Sequence, residues 1–202
     1  MIRLRKPPII QLHEEYFLPE VDLKRVDQEW DLLCEQNPGF FDGEITHVFG
    51  VSRTGCGGAI IQAARTSYRF HAVKNCGISP LGAKGQCVQE GKYLCGLRGS
   101  KMGAYAQMWE FAPAGIVEPD QLPENTIRRE IEEETGLALQ SPPIAISLFF
   151  DTCVNTWEIV YQLKVTGELK CDGKEYESLE WFDIKSLPKP MSPPAMQMRS
   201  LL

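Results

Sequence analysis

The feature that most restricts this chain is a short run near its middle, RREIEEETG, from Arg128 to Gly136. Four glutamates, Glu130, Glu132, Glu133 and Glu134, fall within five residues there. The run predicts a helix from about Pro123 to Thr135, because Pro suits a first helical turn and Gly136 suits the position just past the last one. At about 100° per residue, Glu130, Glu133 and Glu134 share one side of that helix. Ile127 and Ile131 lie beside them and would anchor the helix to a sheet, while Glu132 points to solvent. Like charges at this spacing repel, and converging, partly buried carboxylates raise one another's pKa unless a cation compensates. Either water screens the side, as on a solvated helix face, or a hard divalent cation such as Mg²⁺ or Mn²⁺ belongs there.

The rest of the composition narrows the setting. At 202 residues the chain suits one domain, or one domain with a substantial extension. Its 43% apolar and 24% charged residues are ordinary for a soluble globular protein. A net charge of −6 gives no support to a nucleic-acid binder; a phosphate ligand would need local arginine, lysine or metal. The seven cysteines include no CxxC pair, which argues against a zinc knuckle and for reduced thiols in a cytoplasmic protein. The N-terminal PPII stretch is too short and Pro-broken for a signal sequence, and no apolar run reaches the ~18 residues of a membrane span.

Along the chain, residues 20–36 have helical apolar spacing, and NPGFFDGE after them reads as a turn. ITHVFGVS and GGAIIQAARTSYRFHAVK read as strands, followed by a soft boundary near residue 80. KGQCVQEGKYLCGLRG reads as a hairpin turning at QEGK, where Gly91 supplies the permissive backbone. PIAISLFF and TWEIVYQLKVTGEL are two more strands, and LEWFDIKSL begins as a strand and ends in a helical turn. The Pro-broken tail after residue 190 is expected to be loosely packed. The expected architecture is a layered α/β (α+β) domain with a mixed central sheet at residues 81–190, a β-rich extension at 1–80, and a tail at 191–202.

The glutamate run sits inside a longer pattern. From Gly115 the chain reads GIVEPDQLPENTIRREIEEETGL, which resembles the Nudix box, the signature of the Nudix hydrolases. Gly115, Arg129, Glu130, Ile131, Glu133, Glu134, Gly136 and Leu137 stand at eight of its nine specified positions; the ninth, an early Glu, is Gln121 here. WEFAPAG resembles the strand and turn that usually enter the box, with Ala114 in place of a glycine. The resemblance implies an α/β/α sandwich and hydrolysis of a nucleoside diphosphate linked to another moiety. It implies that Glu130 and Glu134 bind the divalent cation, with Glu133 a further or water-bridged ligand and the carbonyl near Ala114 or Gly115 completing the site. It gives Arg129 the role of orienting the carboxylates, against a plain helix salt bridge.

The general base is left between a box glutamate, Glu133 among them, and a later carboxylate. The later candidates are Glu175, which is preferred, then Glu177 and Asp151. Arg98, at the end of the strand before the box, is the candidate phosphate-binding residue, with Lys101 weaker; Trp109, Phe111, Trp157 and Trp181 read as core. Phe41-Asp42-Gly43 and Thr66-Ser67-Tyr68-Arg69 resemble, less specifically, segments that precede the Nudix domain in UDP-sugar pyrophosphatases, which suggests a nucleotide sugar as the small-molecule partner. The alternative for residues 1–80 is a β-rich surface that packs on the domain or forms a homodimer interface. Two other activities share the fold: a non-catalytic nucleotide-metabolite binding module, and an isopentenyl diphosphate isomerase, whose Cys motif is not seen here.

Overall fold

The structure is a computed structural model that describes residues 1–37, 39–171 and 173–202. Pro38, in the predicted turn after residue 36, and Asp172, in the loop before Trp181, lie outside the described residues. The elements in chain order are β1 (Ile2–Arg3), β2 (Ile9–His13), α1 (Leu23–Gln36), β3 (Glu44–Thr54), β4 (Gly58–Ser67), α2 (Arg69–Ala72), β5 (Leu81–Gln89) and β6 (Lys92–Arg98). They continue with β7 (Trp109–Phe111), β8 (Ala114–Ile116), α3 (Pro123–Thr135), β9 (Ala138–Leu139), β10 (Ile144–Asp151), β11 (Thr156–Thr166), β12 (Tyr176–Phe182) and α4 (Pro193–Arg199).

A mixed sheet runs β1-β10-β11-β5-β6-β12. Its central pair, β11 and β5, is parallel from Trp157↔Leu81 to Lys164↔Val88, and its other pairs are antiparallel. The β5–β6 hairpin turns through Glu90 and Gly91, both at positive φ, which matches the twist of the flanking strands. Beyond the turn the two strands part. Short β8 fills the gap on β5 and short β7 fills it on β6. That splay brings the segment between them, Ala112–Pro113, and the box that follows to the middle of the sheet.

Two packed layers cover this sheet. On one face Ile127 and Ile131 of α3 are wholly buried with Ala83, Cys87, Tyr161 and Leu163. On the other, Met191, Ala195 and Met198 are buried against Phe111, Phe149 and Val160. The tail expected to be loose is therefore a packed helix. Ser192 caps it, accepting from Ala195 N at 3.3 Å, and its prolines occupy the first turn, where the missing N–H costs nothing.

Within residues 1–80, β2, β4 and β3 form a three-stranded sheet, β1 joins the main sheet beside β10, and Val26 of α1 is buried with Ile45 and Phe70. Leu4, Val48, Ala59, Ile61 and Ala63 belong to the same buried cluster as Ile127 and Leu163. The long strand expected through residue 74 stops at Ser67. Asp42 accepts from Arg69 N (2.9 Å) and from the Ser67 hydroxyl, turning the chain into the short helix α2.

Candidate active site

The box helix forms as its sequence dictates. Pro123 opens α3, and Gly136 closes it at φ 67°, a left-handed conformation that favours glycine. The buried side is continuous: Pro123, Thr126, Ile127, Ile131, Glu134 and Thr135 are all withdrawn from water. Glu134 is thus a carboxylate on an apolar stripe, only 7% exposed. Its Oε2 accepts from Ala114 N at 3.3 Å, and its Oε1 is buried with no hydrogen-bond partner. Glu130, one turn earlier, lies against Gly115, where a Cβ would stand 2.2 Å from its Oε1. Only glycine lets β8 and that carboxylate approach so closely.

Arg129 gathers the acids on the exposed flank. It reaches Glu130 at 2.8 Å, Glu133 at 3.0 Å and Glu118 at 3.9 Å. Glu133 is consequently turned outward, its side chain 60% exposed. Gln121 does not face the carboxylates' buried side: its Nε2 donates to Glu118 Oε2 at 2.8 Å. Arg129 thereby gains an acid, Glu118, that the box pattern alone does not specify.

The electrostatics are one-sided. Burial pushes Glu134 up to about 9, and the charges of Glu175 and Glu130 add to the effect. Burial pushes Glu130 up to about 7, opposed by Arg129 and reinforced by Glu133 and Glu175. Glu175 is thereby placed within electrostatic range of both box carboxylates. Glu177 instead accepts from Ser100 N at 2.9 Å on the surface. Asp151 is buried with its charge acting on Lys84 and Glu158, and accepts from the Tyr105 hydroxyl (2.7 and 2.8 Å) and from Cys153 N (3.0 Å).

Among the described residues no three His, Cys, Asp or Glu side chains converge into a ready metal cage. What does converge is a pair, Glu130 and Glu134, with one oxygen orphaned. Two hard oxygen donors suit a cation that keeps much of its shell as water and substrate phosphate, which is how Mg²⁺ is usually held.

The family model described as NUDIX domain matches residues 88–201. The chain belongs to the Nudix family. The Nudix fold also appears in solved structures. A MutT Nudix hydrolase from Burkholderia pseudomallei is 26% identical, with a TM-score of 0.54 over 61% of this chain and 98% of its own. A MutT protein from Methanosarcina mazei Go1 is 23% identical, with a TM-score of 0.51 over 61% and 89%. A bifunctional NMN adenylyltransferase/ADP ribose pyrophosphatase from Francisella tularensis is 18% identical, with a TM-score of 0.52 over 61% and 40%. The last two show likeness of fold alone. Comparison with curated proteins gives no match. As a Nudix protein the chain is a pyrophosphohydrolase, and no described helix is long and apolar enough to cross a membrane.

Next to the Nudix box lies a second buried charged group that the sequence reading missed. Glu110 of β7, 2% exposed, accepts from Arg98 Nη1 and from the Tyr176 hydroxyl (3.3 Å), and Lys84 Nζ stands 3.5 Å from its other oxygen. Burial alone would raise Glu110, but Lys84 and Arg98 outweigh it and hold the carboxyl below its ordinary value. Arg98, read from sequence as a phosphate ligand, is thus committed to Glu110 and to the Ala104 carbonyl (3.0 Å). Glu158, on β11 beside Gly82, completes the group. Burial pushes it up to about 7, eased by Lys84. The available signal was a lone charge in an apolar strand, LGAKGQC, WEF and TWEIVY.

Proposed function

We propose that this Nudix protein is a Mg²⁺- or Mn²⁺-dependent hydrolase of a nucleoside diphosphate linked to another moiety, with a nucleotide sugar as the favoured substrate. The observation that carries this reading is the Glu130–Glu134 pair on the sheet side of α3, where Arg129 reaches Glu130 while Glu134 keeps one buried oxygen without a hydrogen-bond partner. In this reading Glu130 and Glu134 hold the cation, Glu133 reaches it through water, and the backbone at Gly115 lies alongside. The bound cation supplies positive charge against the phosphate charge that develops during cleavage. Arg129 positions Glu130 and Glu133 by its paired hydrogen bonds.

Glu175 is the proposed general base, because its charge reaches both box carboxylates while Glu177 is tied to Ser100. It takes the proton of a water that attacks one phosphorus; the bond to the bridging oxygen breaks and two phosphate-bearing products leave. The nucleotide-sugar assignment rests on the Phe41–Gly43 and Thr66–Arg69 segments, and the location proposed is the cytoplasm. The test is a panel of nucleotide sugars, ADP-ribose, dinucleoside polyphosphates and NTPs, with and without Mg²⁺, beside Glu134→Gln. Metal-dependent product release that vanishes in the variant is expected. No turnover, with a ligand nonetheless raising the melting temperature, would favour a binding module.

A further inference from the structure

The two N-terminal segments interlock. Asp42 holds the Ser67 hydroxyl and the Arg69 backbone, Gly43 O accepts from Tyr68 N at 2.9 Å, and Arg69 reaches Asp27 of α1 at 3.0 Å. This fastens Tyr68 at the junction of β4 and α2. Around it stand Trp30 and Phe40, each edge-on to Tyr68 at 6.1 Å and parallel to each other at 5.9 Å. All three rings are half-buried, and Phe41, the next residue after Phe40, is 80% exposed.

The ring group is tied to the elements that carry the box. Trp30 and Tyr68 pack on the same buried cluster as Ile116, the residue after Gly115, which Glu130 touches. Arg65, three residues before Tyr68, forms an ion pair with Asp120 of the loop that leads into α3. Burial, and then the charge of Glu175, weakens the acidity of Tyr68. Aromatic rings normally repay their size by being covered. Here three are left partly uncovered in mutual contact, on elements joined to those that carry the box, an arrangement that suits a flat ligand.

We propose that Trp30, Phe40 and Tyr68 form the subsite that stacks the heteroaromatic base of the substrate, while its diphosphate lies at Glu130 and Glu134. This site deepens the proposed function and rests on it. Stacking reads the π-face rather than the base edge, so purine and pyrimidine diphosphates are both accepted. Residues 1–80 then contribute half of the substrate site rather than only a supporting layer.

The test is calorimetric binding of UDP, ADP and inorganic pyrophosphate, each with Mg²⁺, to the full chain and to Tyr68→Leu, Tyr68→Phe and Trp30→Leu. The Tyr68→Leu and Trp30→Leu variants should lose about tenfold or more in affinity for UDP and ADP. Pyrophosphate binding should stay within about twofold, and Tyr68→Phe should bind like the wild type. Unchanged nucleotide affinity in both leucine variants would overturn the subsite, as would equal losses for pyrophosphate. A wild type that binds pyrophosphate but not UDP or ADP would overturn the subsite alone. One that binds none of them would remove the proposed function and the subsite with it. Should the leucine variants unfold, the wild type still decides: UDP must shift the Trp30 indole N–H resonance and pyrophosphate must not.

Discussion

Two buried acidic groups lie within one small region of this protein, and they are settled differently. Glu110 is enclosed by Lys84, Arg98 and Tyr176, and stays ionised. Glu134 is nearly as buried, yet it receives one backbone N–H and faces other acids. The first group is neutralised from within, so it holds strands β5, β6 and β7 around the splay. The second is left short of positive charge, which is a stability cost in the isolated chain and, in the reading proposed above, the reason a cation would bind there. The lesson is that burial of a carboxylate says little about its role until its counter-charges are counted.

Removing charge should therefore have opposite signs at the two places. Glu110→Gln leaves Lys84 and Arg98 without their common partner, and the expected loss is about 3–5 kcal/mol. It would be read from the denaturant midpoint, with or without Mg²⁺. Glu134→Gln should instead stabilise the metal-free protein at pH 8, on the order of 1–3 kcal/mol, while abolishing hydrolysis. Loss of stability in that variant would mean that the two regions are alike.

The pH dependence sharpens the contrast. Glu130 and Glu134 have folded values of about 7 and about 9, above the ordinary 4.5. Groups raised in this way contribute stability that is complete below about 4.5 and is lost as pH rises through the folded values. The melting temperature of the metal-free protein should fall between about pH 5 and pH 9. Glu158 adds a share of the same sign. Saturating Mg²⁺ or Glu134→Gln should flatten the part that belongs to the box, and a profile unchanged by either would break the assignment. The smallest effect is expected at Arg129, whose side chain is 40% exposed. Arg129→Gln should change stability by under about 1 kcal/mol yet lower cation affinity about tenfold, measured by melts and by metal titration.

Much of this arrangement is legible in the residues. The limits of α3 follow from Pro123 and Gly136, the hairpin from Glu90-Gly91, and the mixed sheet from the strand order. The helical spacing places Glu130 and Glu134 on the sheet side of α3, as found, whereas Glu133 turns out to Arg129. What escaped reading depends on distant partners. The short helix α2 exists because Asp42 reaches across to Arg69. The tail helix exists because a sheet face waits for Met191 and Met198. Arg98 meets Glu110 only because Gly96 and Glu110 pair across β6 and β7. Such contacts join residues that no local spacing connects.

The central claim is that Glu134, pushed up to about 9, exchanges its proton for a cation. It is tested most directly by calorimetric titration of the metal-free protein with Mg²⁺ at pH 8, in buffers of different ionisation heat. The account predicts release of about one proton for each cation bound, and no such release from Glu134→Gln. Binding of Mg²⁺ without proton release, or equal release from the variant, would contradict it.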